Sequence, residues 1–90
     1  MKITSIKIRK LLIDEKLKAI VSVTFDDEFA LHDIKIIQNL DKLFVAMPSR
    51  KTVEGKFVDI AHPITSEFRN ELQTAIINEY NIALTQNGNQ

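Results

Sequence analysis

Leu17-Lys18-Ala19-Ile20-Val21-Ser22-Val23-Thr24-Phe25-Asp26 is the stretch that decides the fold class. Leu17, Ala19, Val21, Val23 and Phe25 alternate strictly with Lys18, Ile20, Ser22, Thr24 and Asp26. Successive side chains of a strand point to opposite faces, so this period of two predicts a strand with one apolar face. On the N-terminal side, Ile3 to Leu12 is rich in isoleucine, with Ile6 and Ile8 on one face and Ser5, Lys7 and Arg9 on the other. Asp14-Glu15-Lys16 is polar and short enough for a hairpin turn between the two. On the C-terminal side, Asp26-Asp27-Glu28 reads as a turn and Phe29 to Gln38 as a third strand. Its apolar parity changes from Phe29/Leu31 to Ile34/Ile36, which predicts a β-bulge near His32-Asp33 or a strand buried on both faces. Leu43 to Met47 is a continuous apolar run, as in a strand buried on both sides, and Pro48 ends it. Arg50 to Lys56 reads as a loop containing Gly55, with Phe57 to Ile60 a short last strand.

Past His62-Pro63 the period changes. Phe68, Leu72, Ala75, Ile76, Tyr80 and Ala83 fall at three- and four-residue spacing, the mark of an amphipathic helix. Thr65 or Ser66 supplies an N-cap oxygen, and Glu67 and Glu71 suit the positive end of the helix dipole. The expected architecture is α+β: an antiparallel sheet of about five strands followed by one C-terminal amphipathic helix on one face. Residues 1–84 form a single domain and 85–90 a frayed C-terminal tail. One helix covers only one sheet face, so Ile20 and part of the Ile34/Ile36 set would be left in water and the edge strands unpaired. A symmetric homodimer that pairs edges or stacks open faces removes both problems.

The 90 residues hold 12 Lys+Arg and 12 Asp+Glu, so the formal net charge is zero. A neutral chain cannot hold nucleic acid through bulk charge, and any such binding must come from a local patch. The charge is patterned, however. Lys2 to Lys18 holds six bases and two acids, and Lys35 to Lys56 holds five bases and two acids. Asp26 to Asp33 and the C-terminal third are acidic. The absence of cysteine excludes a disulfide scaffold, a thiolate metal site and a cysteine nucleophile. The N-terminal stretch alternates with charges and lacks a signal peptide's apolar run, so no membrane partner is expected and the expected compartment is cytoplasmic.

Candidates for chemistry are thin. His32 lies beside Asp33, and His62 three residues after Asp59, but neither histidine has metal-ligand spacing, and no metal or other cofactor is expected. Ser49 has no nucleophile-elbow frame. Asp26-Asp27-Glu28 lacks calcium-loop spacing and reads as a solvated turn. The expectation is a non-enzyme without a small-molecule substrate. The basic features rate higher: Arg50 and Lys51, joined by Lys56 across a loop, and Lys7 and Arg9 on one strand face. Lysines on an edge strand are also a defence against aggregation. No aromatic sits among these cations, so a base-stacking platform of the single-strand type is not expected.

Leu43-Phe44-Val45-Ala46-Met47-Pro48-Ser49-Arg50-Lys51-Thr52 followed by Gly55-Lys56-Phe57-Val58-Asp59-Ile60-Ala61-His62-Pro63-Ile64 resembles the bacterial stage V sporulation protein G (SpoVG) family of septation regulators. The resemblance extends to Ile8-Arg9-Lys10, to Asp26-Asp27-Glu28-Phe29 with His32-Asp33-Ile34, and to Asn78-Glu79-Tyr80, and so spans nearly the whole chain. It implies a small homodimeric regulator of gene expression that binds DNA and RNA and affects septation and sporulation. The family's basic residues after Met-Pro-Ser match Arg50 and Lys51. Thr52-Val53-Glu54-Gly55 stands where many relatives carry a Pro-Asp-Gly turn, and the acidic tail of many relatives does not follow the helix. The alternative expectation is a protein-interaction adaptor of cell division that uses the open sheet face.

Overall fold

Ile8, Val21 and Ile34 stand side by side across three neighbouring antiparallel strands, and this row is the centre of the core. The computed structural model describes residues 1–12 and 15–88. β1 (Ile3–Leu11), β2 (Leu17–Phe25), β3 (Phe29–Asn39) and β4 (Lys42–Ala46) form one antiparallel sheet in the order β1-β2-β3-β4. The apolar face read from the period of two is the buried one from Ala19 to Phe25, while a register shift between Leu17 and Ala19 pairs Leu17 with Ile37 and leaves it outside the core. Ala19, Val21 and Val23 are fully enclosed, Phe25 nearly so, and Ile34 and Ile36 join them from β3. Ile6 pairs with Val23, and Val45 with Ile36, so the two outer strands extend the same face. Each such aliphatic side chain contributes about 1.5–3 kcal/mol on full burial.

The parity change on β3 is a bulge. Val21 pairs with Ile34 but Val23 pairs with Leu31, so His32 and Asp33 together oppose Ser22, and Asp33 takes a φ of 63°. The extra residue lets Leu31 and Ile34 reach one face although they are three positions apart. The acidic turn after β2 is structural. Asp26 and Asp27 both have φ 54°, and the Glu28 N–H donates to the Phe25 carbonyl at 2.9 Å. The Lys2 N–H donates to Asp26 Oδ1 at 2.9 Å and the Asp27 N–H to Thr4 Oγ1 at 3.0 Å, which ties the turn to the start of β1. Of the expected turn at Asp14-Glu15-Lys16, Asp14 lies outside the described residues; β1 and β2 pair on either side of it.

α1 (Ser66–Gly88) opens on Thr65, whose Oγ1 accepts the Phe68 N–H at 3.2 Å and so satisfies one of the first-turn donors. Phe68, Leu72, Ile76 and Tyr80 recur every four residues, and the last three are buried. The Phe68 ring packs 5.9 Å from that of Phe25. The helix comes closest to the two outer strands, β1 and β4, so the twisted sheet cups it. Of the expected 85–90 tail, α1 includes residues up to Gly88, and Asn89 and Gln90 lie outside the described residues.

The α+β arrangement is the expected one, with its strands divided differently. β5 (Ser49–Lys51) and β6 (Phe57–Asp59) form a separate two-stranded sheet, so the start of the stretch read as a loop is a strand. Its residues are all exposed and show no apolar period, and the ladder is visible only in the backbone. β4 is an outer strand rather than one buried on both sides: Leu43 and Val45 pack on the core while Phe44 is 48% exposed.

Candidate nucleic-acid interface

The hairpin that carries Arg50, Lys51 and Lys56 is closed along its whole length. At its base the Ile60 N–H donates to the carbonyl of the buried Pro48 at 2.7 Å. Ser49 then pairs with Asp59, Arg50 with Val58 and Lys51 with Phe57. At the tip the Thr52 N–H reaches the Lys56 carbonyl at 2.7 Å, and the Gly55 N–H the Thr52 carbonyl at 2.9 Å. Thr52 Oγ1 also accepts the Lys56 N–H at 3.1 Å. Gly55 has φ +90°, a conformation that strains any residue with a Cβ, and this is why the turn needs glycine there. The threonine clasp and the glycine give the Thr52-Val53-Glu54-Gly55 tip a defined shape without a proline.

Strand geometry separates two residues that the sequence places together. Side chains alternate faces along β5, so Arg50 and Lys51 stand on opposite faces of the ribbon, Arg50 with Val58 and Lys51 with Phe57. A ribbon with a cation on each face can touch two phosphate strands but cannot focus both charges on one phosphate. The register also corrects the reading of the aromatics. Phe57, 71% exposed, lies directly opposite Lys51 and next to Lys56. The sequence signal for this pairing is Gly55 at the end of a four-residue Thr52–Gly55 turn, which sets Lys51 opposite Phe57.

Lys7 and Arg9 lie elsewhere. Both are on β1, the outer strand farthest from β4, and the hairpin continues the chain from β4 through Met47 and Pro48. Lys7 pairs with Ser22, and Arg9 Nε donates to Ser22 Oγ at 3.2 Å. That hydroxyl lies 2.8 Å from His32 Nδ1. One nearly buried hydroxyl therefore hydrogen-bonds both Arg9 and His32 and anchors both side chains to the face away from the helix. His32 is thus held by a serine rather than by its neighbour Asp33.

His62 is exposed, and its Nδ1 lies 3.1 Å from the carbonyl of Pro63, which also accepts from Arg69 Nη2 at 3.3 Å. It borders a cleft of about 480 Å³ between the start of α1 and the sheet, lined mainly by apolar side chains that include Phe29, Met47, Ile64 and Phe68. Among the described residues no three His, Cys, Asp or Glu come together as metal ligands. Among the same residues no helix is long and apolar enough to cross a membrane.

A sequence model of the SpoVG family matches residues 1–82. A protein of Caldanaerobacter subterraneus subsp. tengcongensis named "Putative septation protein SpoVG" is 58% identical over 90 residues, covering 100% of this chain and 99% of the relative. Proteins of the same name from a Thermoanaerobacter species and from Clostridium novyi are 59% identical over 86 residues and 54% identical over 89 residues. These two alignments cover 96% and 99% of this chain and 94% and 89% of the relatives.

Proposed function

Because the chain belongs to the SpoVG family, we propose that it is a homodimeric, non-enzymatic regulator that binds DNA and RNA and acts in septation, sporulation or related gene expression. The observation that carries this reading is the hairpin: an ordered, exposed ribbon with Arg50 and Lys51 on its two faces and Lys56 at its turn. Arginine offers a forked donor set to phosphate oxygens, and lysine adds a mobile point charge. Both histidines have Nδ1 engaged locally, His32 with Ser22 and His62 with Pro63, which suits structural rather than catalytic roles.

The dimer is supported by apolar surface rather than by charge. Phe57 and Val53 on the hairpin and Ile64 beside it, 90% exposed, are large apolar side chains left in water, and the adjoining cleft is apolar. A second copy offers the same surface in return, which is the condition for a two-fold interface. Two hairpins at a fixed separation then act together through effective concentration. Gel shifts at low and high salt test the reading. Affinity that falls with salt for both duplex and single strand supports it; salt-independent or absent binding would leave the adaptor alternative. Sedimentation of the 10.3 kDa chain as a monomer at micromolar concentration would remove the dimer.

A further inference from the structure

The chain's neutrality hides a charge separation between the strands of the larger sheet and the turns that join them, which carry Asp26, Asp27, Glu28 and Asp41. β1 to β4 hold six bases, Lys7, Arg9, Lys10, Lys18, Lys35 and Lys42, and one acid, Asp33 at the bulge, a balance of 6 − 1 = +5. The hairpin segment Ser49–Asp59 holds three bases and two acids, a balance of only 3 − 2 = +1. α1 carries Glu67, Glu71 and Glu79 against Arg69. The face of the sheet toward the helix is apolar, so the strand cations belong to the open face. Register confirms it: Lys10, Ile20, Lys35 and Ala46 form one cross-strand row, and Lys7 stands opposite Ser22.

An aromatic ring lies within this basic field. Phe44 shares its side of β4 with Lys42 and Ala46, opposite to the core-facing Leu43 and Val45, and it pairs with Ile37 on β3. Lys42 is two residues away along the strand, about 7 Å. Lys35 is its diagonal neighbour on β3, also about 7 Å away. A half-exposed ring between two lysines offers a stacking surface for a base with cations placed for the adjoining phosphates. Arg9 is held on the same face by Ser22, so its charge is fixed there. Stacking this face on a second copy would set six cations against six, which like-charge repulsion opposes; a polyanion is the complementary occupant.

We propose that the open face of the four-stranded sheet binds a single strand of nucleic acid, with a base stacked on Phe44 and the backbone on Lys35, Lys42, Lys10 and Arg9. This rests on the nucleic-acid reading above and assigns the single strand to the sheet, apart from the hairpin.

The test is fluorescence anisotropy with a labelled single-stranded RNA oligonucleotide of mixed sequence, and with the same oligonucleotide annealed to its complement. Phe44→Ala should weaken the single strand about 5- to 150-fold, the range for removal of one base stack, and leave the duplex within about twofold. Phe44→Trp should retain single-strand binding, whereas Phe44→Leu, apolar but without a ring, should lose it. Lys35→Ala with Lys42→Ala should flatten the single-strand salt slope by about 1.4. Circular dichroism of each variant checks that the fold is kept. Unchanged single-strand affinity in Phe44→Ala, or full rescue by leucine, overturns the sheet-face assignment. If Arg50→Ala with Lys51→Ala alone abolishes both ligands, the hairpin reading survives and the sheet proposal falls. If the unmodified protein binds neither oligonucleotide, both fall.

Discussion

Replacing Arg50 and Lys51 together with alanine removes one cation from each face of the β5–β6 ribbon without touching the core. Both positions are exposed, and neither backbone pairing depends on the side chain, so unfolding free energy should change by less than about 0.5 kcal/mol. On duplex DNA, every phosphate that is no longer neutralised reduces the salt slope by about 0.9, so two phosphates per subunit reduce it by about 1.8. A dimer that engages both hairpins loses about 3.6. The consequence is measurable without an extrapolated affinity. Between about 50 and 200 mM salt, a slope difference of 1.8 shrinks the gap between parent and variant about 12-fold, and 3.6 shrinks it about 150-fold. Anisotropy with a labelled duplex across that range reads the slope directly, and a thermal melt controls for folding. The single variants should each carry about half the slope change, because the two side chains face different ways and share no phosphate. An unaltered slope in a folded double variant would mean that the ribbon is a solvated turn and that the charges which matter lie elsewhere.

Ile76→Ala should cost about 2–5 kcal/mol, since the side chain is fully enclosed between α1 and the sheet; chemical denaturation reads the loss, and a cost under about 1 kcal/mol would mean that the helix is loosely docked. Leu40→Gly should raise stability by about 0.5–1 kcal/mol, because Leu40 holds φ 58° at an 88% exposed turn position and contributes little packing. The only tyrosine, Tyr80, has its phenol pushed above its ordinary pKa by burial. Its packing is therefore fully available below about pH 10, and the stability is lost as pH rises from there through the higher folded-state value. Tyrosinate absorbance should rise later in the folded protein than in urea, and denaturant midpoints should fall over the same alkaline window.

Periodicity carried the fold because each apolar pattern has a single consistent burial. Ala19 to Phe25 places its alternate apolar residues on one face, and of the two readings of the parity change between Leu31 and Ile34, a bulge or burial on both faces, the register shows the bulge. The four-residue stripe from Phe68 to Tyr80 likewise required a helix lying on that face. The hairpin was less legible. Ser49–Lys51 and Phe57–Asp59 bury nothing, so no hydrophobic period marks them and only the backbone ladder and the Thr52 clasp define the ribbon. The Leu43–Met47 run misled for the converse reason: an apolar stretch does not reveal whether another strand will cover it, and here the chain turns away at Pro48 and leaves Phe44 in the open.

The cations were countable in the sequence, but their grouping was not. Neighbours in the chain, Arg50 and Lys51, are divided by the pleat onto two faces. Residues far apart in the chain, Arg9, Ser22 and His32, are drawn into one hydrogen-bonded group by antiparallel register. Lys10, Lys35 and Phe44 come onto one surface in the same way. Local pattern fixes which side of an element is wet, because that depends only on residues two or four apart. Which wet sides adjoin depends on strand order and register, and those are set by long-range pairing that only the assembled sheet contains.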